Sequence, residues 1–166
     1  MFSVGDTVSY GTQGICTIKE ISEVEMGNVK NKYYILVPVY DQKATIYVPT
    51  DNQKLTDNMR RLLSPAEINK LIDVAAAQPM LWVENDPQRK EHCLAVIKSG
   101  DRTELMRLTY MLYLKREELK NSKKHFHISD ERFLRDAEKL LHDEFAYILG
   151  IKQDEVSNYI LNRIKR

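Results

Sequence analysis

Cysteine is scarce in this sequence, and the two cysteines it contains are isolated from each other. Cys16 and Cys93 form no Cys-x-x-Cys pair, so the sequence indicates neither a disulfide framework nor a zinc knuckle. We therefore expect reduced thiols and a reducing compartment.

Neither sign of charge dominates, and long apolar runs are absent. Lys and Arg number 25 against 24 Asp and Glu, and a net charge of +1 gives no overall argument for nucleic acid or a membrane surface. No stretch approaches the roughly 20 apolar residues that span a bilayer, and the opening MFSVGDTVSY does not resemble a signal peptide. We expect a cytoplasmic protein without a membrane partner.

The usual catalytic constellations are missing as well. His125 and His127 lie in a lysine-rich loop without nearby carboxylate or thiolate ligands, which makes them a weak metal signal. His92 and Cys93 are adjacent, so on a helix they diverge by about 100° and cannot pair as base and nucleophile. The glycines of GTQG (11–14) lack the GK[ST] ending of a phosphate loop and indicate a strand-joining turn. We predict no catalytic residue, metal, cofactor or small-molecule substrate; an enzyme using His125, His127 or Cys93 is the alternative.

Up to about residue 55 the sequence alternates with a period of two and is rich in strand formers. The runs are TVSY, ICTIKEI, YYILVPVY and ATIYVP, with a turn at residues 26–28. Pro38 and Pro49 should lie at strand ends or on edges, because proline cannot donate to a ladder. This half predicts a small antiparallel barrel or twisted sheet.

Helix-start signals replace the strand signals from Ser64 onward. Ser64, Pro65 and Glu67 form a capping box with a first-turn proline, which predicts a helix to about Ala77. The second helix should begin at Asp86-Pro87 and end at Gly100, and the third should begin at Asp101, with Leu105, Leu108 and Leu112 on one face. The fourth should run from Ser129 to Gly150, and the last should span residues 154–163. His142 and Glu144 are expected at the surface. The fold class is α+β, a β module (1–56) followed by an all-α bundle of about five helices (57–166).

The only tryptophan, Trp82, lies in QPMLWVENDPQRK, a polar connection that contains two prolines. Tryptophan is usually largely buried, so packing between the first and second predicted helices is the plain interpretation. An exposed, ligand-facing Trp82 is the alternative. The helix that starts just after the tryptophan would direct its first backbone amide groups toward an anion bound beside the ring.

Several landmarks together resemble the CarD family of bacterial transcription regulators. They are FSVGDTVSYGTQGICTIKEI, YYILVPV, ATIYVPTDN, MRRLLS, the lone Trp82, SGD at 99–101 and SDERFLRDAEKLLHDEFA. The opening hydrophobic-GD-x-V-x-Y-x-x-x-G pattern also occurs in the polymerase-binding module of transcription-repair coupling factors. The later landmarks, in this order, point to CarD itself.

The resemblance implies a transcription regulator with two parts. A Tudor-like N-terminal module would bind the RNA polymerase β subunit by strand pairing, and the helical part would contact promoter DNA in the minor groove with weak sequence specificity. Trp82 would insert at the upstream edge of the bubble and stabilise the open complex. The implied DNA-binding residues are Trp82, Arg89, Lys90 and Lys98, with Arg102 and Arg107 as weaker candidates; the implied polymerase-binding residues are Val24, Thr45, Ile46, Tyr47, Val48 and Pro49.

The sequence departs from the family in two places. Several members carry arginines at the positions of Val24 and Tyr47, so an apolar or aromatic contact is the alternative to an ionic one here. Some relatives have a dense basic cluster after the tryptophan, where this chain has VENDPQRK. Packing of Tyr33, Tyr34 and Tyr47 inside the β module is the plain interpretation of those tyrosines. A protein-interaction adaptor of polymerase that does not bind DNA is the competing function.

Overall fold

Five antiparallel strands form the first part of the chain, and the alternation predicts the first four of them. The computed structural model describes all residues from Met1 to Arg166. The strands are β1 (Thr7–Tyr10), β2 (Gly14–Met26), β3 (Val29–Pro38), β4 (Ile46–Pro49) and β5 (Met59–Arg61), in the order β4-β3-β2-β1-β5. A short helix, α1 (Gln53–Thr56), follows β4. The fold class is therefore α+β with an N-terminal antiparallel sheet.

Local sequence explains where these strands end. The long hairpin of β2 and β3 turns at Gly27 and Asn28, and Gly27 has a φ of 67°, which glycine adopts without steric cost. Pro38 ends β3 and Pro49 ends β4, as predicted. One face of the sheet forms a core whose fully buried members are Val8, Cys16, Ile18, Leu36 and Val48.

The sequence did not predict β5. Arg60 of β5 is the partner of Ser9 in β1, and buried Met59 packs in the core of the sheet. The chain consequently divides into the compact units Met1–Leu62 and Leu63–Arg166, with the division after β5 and not at residue 56. A three-residue strand has too short an alternation to stand out in a sequence.

The second unit contains the five helices that the sequence predicts. They are α2 (Pro65–Ala77), α3 (Asp86–Ser99), α4 (Arg102–Asn121), α5 (Ile128–Leu149) and α6 (Val156–Ile164). The Ser64 capping box and the Asp101 cap are both present, and Gly100 and Gly150 end α3 and α5 in the left-handed conformation. None of these helices is both long and apolar enough to span a bilayer.

The cap of α3 and the start of α5 differ from the prediction, whereas α3 itself begins at Asp86 as predicted. Asn85 caps α3 by accepting from the Gln88 N–H, so Asp86 lies inside the first turn and its carboxylate is free to pair with a side chain. Helix α5 begins at Ile128, before Ser129, and its N-cap His127 makes no side-chain cap bond.

The helices enclose one apolar core, which includes the predicted Leu105, Leu108 and Leu112 face of α4. The expectation that Glu144 lies at the surface was wrong. Glu144 is buried, it pairs with Arg102 at 2.8 Å, and it accepts a hydrogen bond from the Leu63 N–H. A charge on the inner face of α5 is tolerated because both partners satisfy its oxygens.

Candidate functional site

Strand β4 is an edge of the sheet, because it pairs with β3 and with no other strand. A row of unpaired backbone groups on such an edge is a template for a partner strand. The strand is short and ends at Pro49, which limits how much of it a partner could pair with. The predicted polymerase-binding run from Ile46 to Pro49 is this strand, and Thr45 directly precedes it.

The direction of the backbone groups along β4 follows from its pairing. The Thr50 N–H donates to the Lys32 carbonyl at 3.0 Å, so Thr50 faces β3. Successive residues of an antiparallel strand direct their backbone N–H and carbonyl groups to opposite sides. The backbone groups of Val48 and Ile46 therefore also point toward β3, whereas those of Tyr47 and Pro49 point toward the open edge. Pro49 has no N–H, and its carbonyl accepts from Asn52. Within β4, only Tyr47 therefore offers both an N–H and a carbonyl to a partner strand.

Side chains on β4 divide in the same alternating manner. Val48 is fully buried in the core and Ile46 packs against that core, so neither presents a side chain to a partner. Tyr47 lies on the other face, is 44% exposed, and meets the buried Tyr33 edge to face at 6.1 Å between ring centroids. Tyr34 packs against the core instead. Val48 therefore presents neither its side chain nor its backbone groups, which pair with β3, to a partner strand.

Val24 lies on β2, two strands from β4, and shares a face with the tyrosine pair. Its Cα partner on β3 is Asn31, and Tyr33 pairs with Ser22, so Val24, Asn31, Ser22 and Tyr33 point to one side of the hairpin. The side chain of Val24 is partly exposed there. The sheet thus places Val24 and Tyr47 on a common face, which is aromatic and apolar at these two positions.

In the helical unit, Trp82 lies between α2 and α3 and is partly buried against the apolar core. Its ring lies under the guanidinium of Arg89, whose central carbon is 4.3 Å from the ring centroid. The ammonium of Lys115 on α4 is 5.2 Å from the same centroid. Both distances fall within the range of cation–π attraction, so two cations fix the ring in place. Its neighbour Leu81 is 84% exposed.

Arg89 is the residue that holds this loop. Its Nε and Nη2 donate to the two oxygens of Asp130 at 3.0 and 2.9 Å, and Nη2 also lies 2.8 Å from Asp86. Nη1 donates to the carbonyl of Val83 at 2.9 Å. Arg89 is 2% exposed and Asp130 is fully buried. The hydrogen bond to Asp130 raises the pKa of Arg89, against the opposing effect of burial.

This arrangement contradicts the expectation that Arg89 contacts phosphate. All three guanidinium nitrogens are used inside the fold, so the side chain cannot reach a phosphate without breaking a buried ion pair. Arg102 and Arg107 are engaged as well, with Glu144 at 2.8 Å and Glu104 at 2.9 Å. Among the predicted basic contacts, Lys90 and Lys98 on α3 are exposed.

Sequence reasoning missed Asp130 and Lys115 as members of the Trp82 site. Asp130 lies in the first turn of α5, where its interaction with the helix dipole is reason enough for an acidic residue and does not indicate a buried partner. The signal that could have found it is periodicity. Arg89 shares the buried stripe of α3 with Cys93 and Val96, and Asp130 precedes the buried Leu134 by one turn of α5. Opposite charges at two core-facing positions predict a buried pair.

His142 on α5 lines a cavity with tyrosines of α4 and residues of α6, so it is less exposed than the sequence suggested. Burial lowers its pKa below 6.5, with Asp143 opposing. Glu138, one turn earlier in the same cavity, has its pKa raised by burial, and Arg116 opposes that shift. No group of three or more potential ligands forms a metal site anywhere in the chain.

The N-terminal unit matches a known domain family. Residues 2–63 match the family described as the CarD-like/TRCF RID domain. The match covers the whole five-stranded sheet and ends where the first compact unit ends. No curated protein matches the chain.

Proposed function

We propose that this protein is a polymerase-bound transcription regulator that stabilises the open promoter complex, because residues 2–63 match the CarD-like/TRCF RID domain, an RNA polymerase β-subunit-interacting domain. The β4 edge would bind the polymerase, and the helical unit would contact promoter DNA. The observation that carries the proposal is the coincidence of this domain with a sheet whose β4 edge is open. A protein that works this way is not an enzyme and needs no cofactor.

The polymerase contact is proposed to form by strand addition to β4. The Tyr47 N–H and carbonyl would pair with a strand of the β subunit, and backbone pairing supplies affinity in this mode of recognition. The exposed part of the Tyr47 ring, with Val24 on the same face, would supply an apolar contact where several relatives carry arginines. Ile46 and Val48 pair with β3 and pack in or against the core, so they hold the strand in register, with Thr45 and Pro49 on either side.

The DNA contact is proposed to centre on Trp82. An apolar side chain placed against an opened base step removes stacking surface from water, and a rigid aromatic ring suits this role. Arg89 and Lys115 would keep the ring fixed, so that little conformational entropy is lost on binding. Lys90 and Lys98 are exposed and would contact phosphates. Because the minor groove offers a degenerate code, sequence specificity should be weak.

The experiment is a measurement of open-complex lifetime with the cognate polymerase, without the factor and with wild type, Trp82→Ala and Trp82→Phe. Leu81→Ser is the matched control, since Leu81 belongs to the same loop and is 84% exposed. Wild type should lengthen the lifetime, Trp82→Ala should lose most of that effect while still binding polymerase, and Trp82→Phe should keep part of it. A wild-type protein without effect on the lifetime contradicts the proposal.

A second candidate function is a polymerase adaptor that does not touch DNA. It is favoured by the packing of Trp82 against the helical core and by the internal use of the Arg89 guanidinium. In that case Trp82→Ala would lower the melting temperature, and partial unfolding of the variant would explain any loss of its effect on the open-complex lifetime. A melt of each variant beside the lifetime assay separates the two functions.

A further inference from the structure

Helix α4 ends at a lysine in an unusual backbone conformation. Lys123 has a φ of 55° and is the only residue other than glycine with a positive φ. The Lys124 N–H donates to the Leu119 carbonyl at 2.8 Å, and the Lys123 N–H donates to the Lys120 carbonyl at 3.1 Å. The long bond from Lys124 to Leu119 is typical of a Schellman ending with Lys123 at the left-handed position.

Glycine is the usual residue at such a position, because a Cβ is sterically unfavourable there. The same molecule supplies the comparison, since α3 and α5 both end in the left-handed conformation at Gly100 and Gly150. A lysine at the end of α4 therefore carries a conformational cost that the other two helix ends avoid. Backbone strain of this kind is concentrated at functional sites, which makes the surroundings of Lys123 a candidate binding surface.

The segment that contains Lys123, residues 122–127, joins two helices that flank Trp82. Lys115, two turns before the end of α4, lies 5.2 Å from the Trp82 ring centroid. At the other end, His127 Nε2 lies 4.0 Å from a carboxylate oxygen of Asp86 in the first turn of α3. Phe126 packs against the helical core and so anchors the segment. These contacts place it beside the Trp82 loop.

The two lysines of this segment carry charge that no ion pair neutralises. Lys123, Lys124, His125 and His127 are all exposed, and of these four only His127 lies near a carboxylate, that of Asp86 at 4.0 Å. Three acidic groups on the adjoining elements already have partners. Glu118 pairs with Lys115, Glu131 with Arg116, and Asp86 with Arg89. An anion approaching the segment would therefore meet two lysines without a competing carboxylate partner.

We propose that residues 122–127 form a second DNA contact, in which Lys123 and Lys124 bind backbone phosphates next to the nucleotides at Trp82. The inference rests on the proposed function and adds to it a phosphate-binding segment beyond Lys90 and Lys98. At the left-handed position a lysine, instead of a glycine, presents an exposed positive charge at the helix end. Such contacts position a protein on DNA without reading sequence.

The test compares Lys123→Gly, Lys123→Asn and Lys124→Ala with Lys70→Ala, which removes an exposed lysine from α2. Glycine and asparagine both tolerate the left-handed conformation, so these two variants remove the charge without damaging the helix end. Each full-length variant is titrated against a fluorescent promoter fragment with a preformed bubble over a range of salt concentrations. Thermal melts are recorded in parallel.

Lys123→Gly should melt at the wild-type temperature or a few degrees higher, yet bind DNA less tightly. Loss of one phosphate contact should reduce the slope of log K against log salt by about 0.9. Lys123→Asn and Lys124→Ala should show the same weaker binding, and Lys70→Ala should match wild type. If Lys123→Gly is more stable than wild type but binds DNA less tightly, loss of folding cannot explain the weaker binding.

Unchanged affinity and salt slope in both Lys123 variants would overturn the inference and leave the segment a solvated loop. Weaker binding of Lys123→Gly to polymerase in the absence of DNA would also overturn it, because the segment would then contact protein. Failure of the proposed function would give a different result. In that case Trp82→Ala would bind the bubble-containing DNA as tightly as wild type does, whatever the affinity of the Lys123 variants.

Discussion

The guanidinium of Arg89 lies 4.3 Å from the centroid of the Trp82 ring while two of its nitrogens bind Asp130. One side chain therefore links the Trp82 loop to the start of α5. Its remaining nitrogen donates to the Val83 carbonyl, directly after the tryptophan. The connection between α2 and α3, residues 78–85, contains Pro79 and no regular structure, and this arginine ties it to the buried Asp130.

Replacing Asp130 should be far more damaging than replacing its neighbour. Asp130→Ala leaves the Arg89 charge buried with only the partly exposed Asp86 as a partner, and removal of one member of a buried pair costs about 3 to 5 kcal/mol. Glu131→Ala removes an ion pair with Arg116 in which the side chains are 33% and 47% exposed, and should cost about 0 to 1 kcal/mol. Urea unfolding of both variants measures the difference.

Trp82 provides an internal probe for the same experiment, because it is the only tryptophan. Release of Arg89 from Asp130 should loosen the loop and shift the fluorescence of the folded Asp130→Ala variant to longer wavelength, whereas Glu131→Ala should keep the wild-type spectrum. Equal stabilities and equal spectra for the two variants would contradict the assigned role of the pair.

The Arg89 pair also shows where sequence reasoning reached its limit. Helix starts and ends were predicted well because caps are local: Ser64, Asp101, Gly100 and Gly150 act on their own helices. The pairing of Arg89 with Asp130 joins residues 41 positions apart, and no local rule specifies it. Arginine after a proline and a tryptophan suggested a phosphate contact, whereas tertiary packing placed it inside.

A proline at Tyr47 should separate polymerase binding from folding. The Tyr47 N–H faces the open edge, so Tyr47→Pro removes a donor for a partner strand without removing a bond to β3. We expect polymerase affinity to fall about tenfold while the melting temperature changes little. A pull-down or titration with the isolated β lobe, beside a melt, is the measurement.

The matched control is Val48→Pro, whose N–H faces β3 and whose side chain is fully buried. This variant should lose about 3 kcal/mol or more of unfolding free energy, since it loses a ladder bond and core packing together. Full polymerase binding by Tyr47→Pro would show that β4 is not the edge that binds the polymerase.

The two cysteines should be unreactive in the folded protein. Cys16 and Cys93 are fully buried, and burial raises the pKa of each thiol to about 11. At pH 8 only about one thiol in 1,000 is then a thiolate, and that fraction is shielded from reagent. Alkylation with iodoacetamide should modify neither residue in buffer and both in urea. Modification of either within minutes in the absence of urea would contradict its burial.

Because Cys16 lies in the Met1–Leu62 unit and Cys93 in the Leu63–Arg166 unit, the same experiment reports on each unit separately. Peptide mass spectrometry after a urea series gives a midpoint for each thiol. The strand β5 bears on this result. This strand, which was not predicted from the sequence, lies at the end of the first unit, so Met59→Ala should lower the urea midpoint for Cys16 and leave that for Cys93 unchanged.

His142 should make the stability of the helical unit depend on pH. Burial lowers its pKa in the folded protein below 6.5, with Asp143 opposing, so the unfolded chain binds its proton first as the pH falls. The stability that neutral His142 provides is complete above about pH 6.5 and is lost as the pH falls through the folded-state pKa.

The measurement is urea unfolding at pH 7.5 and pH 5.5 for wild type and His142→Gln. The variant keeps a polar side chain in the cavity but does not titrate, so its loss of stability between the two pH values should be smaller than that of wild type. Glu138 also lines this cavity, and burial raises its pKa above 4.5, but it is present in both proteins and its effect cancels in the comparison. A wild type and variant with the same pH dependence would mean that His142 is solvated in the folded state.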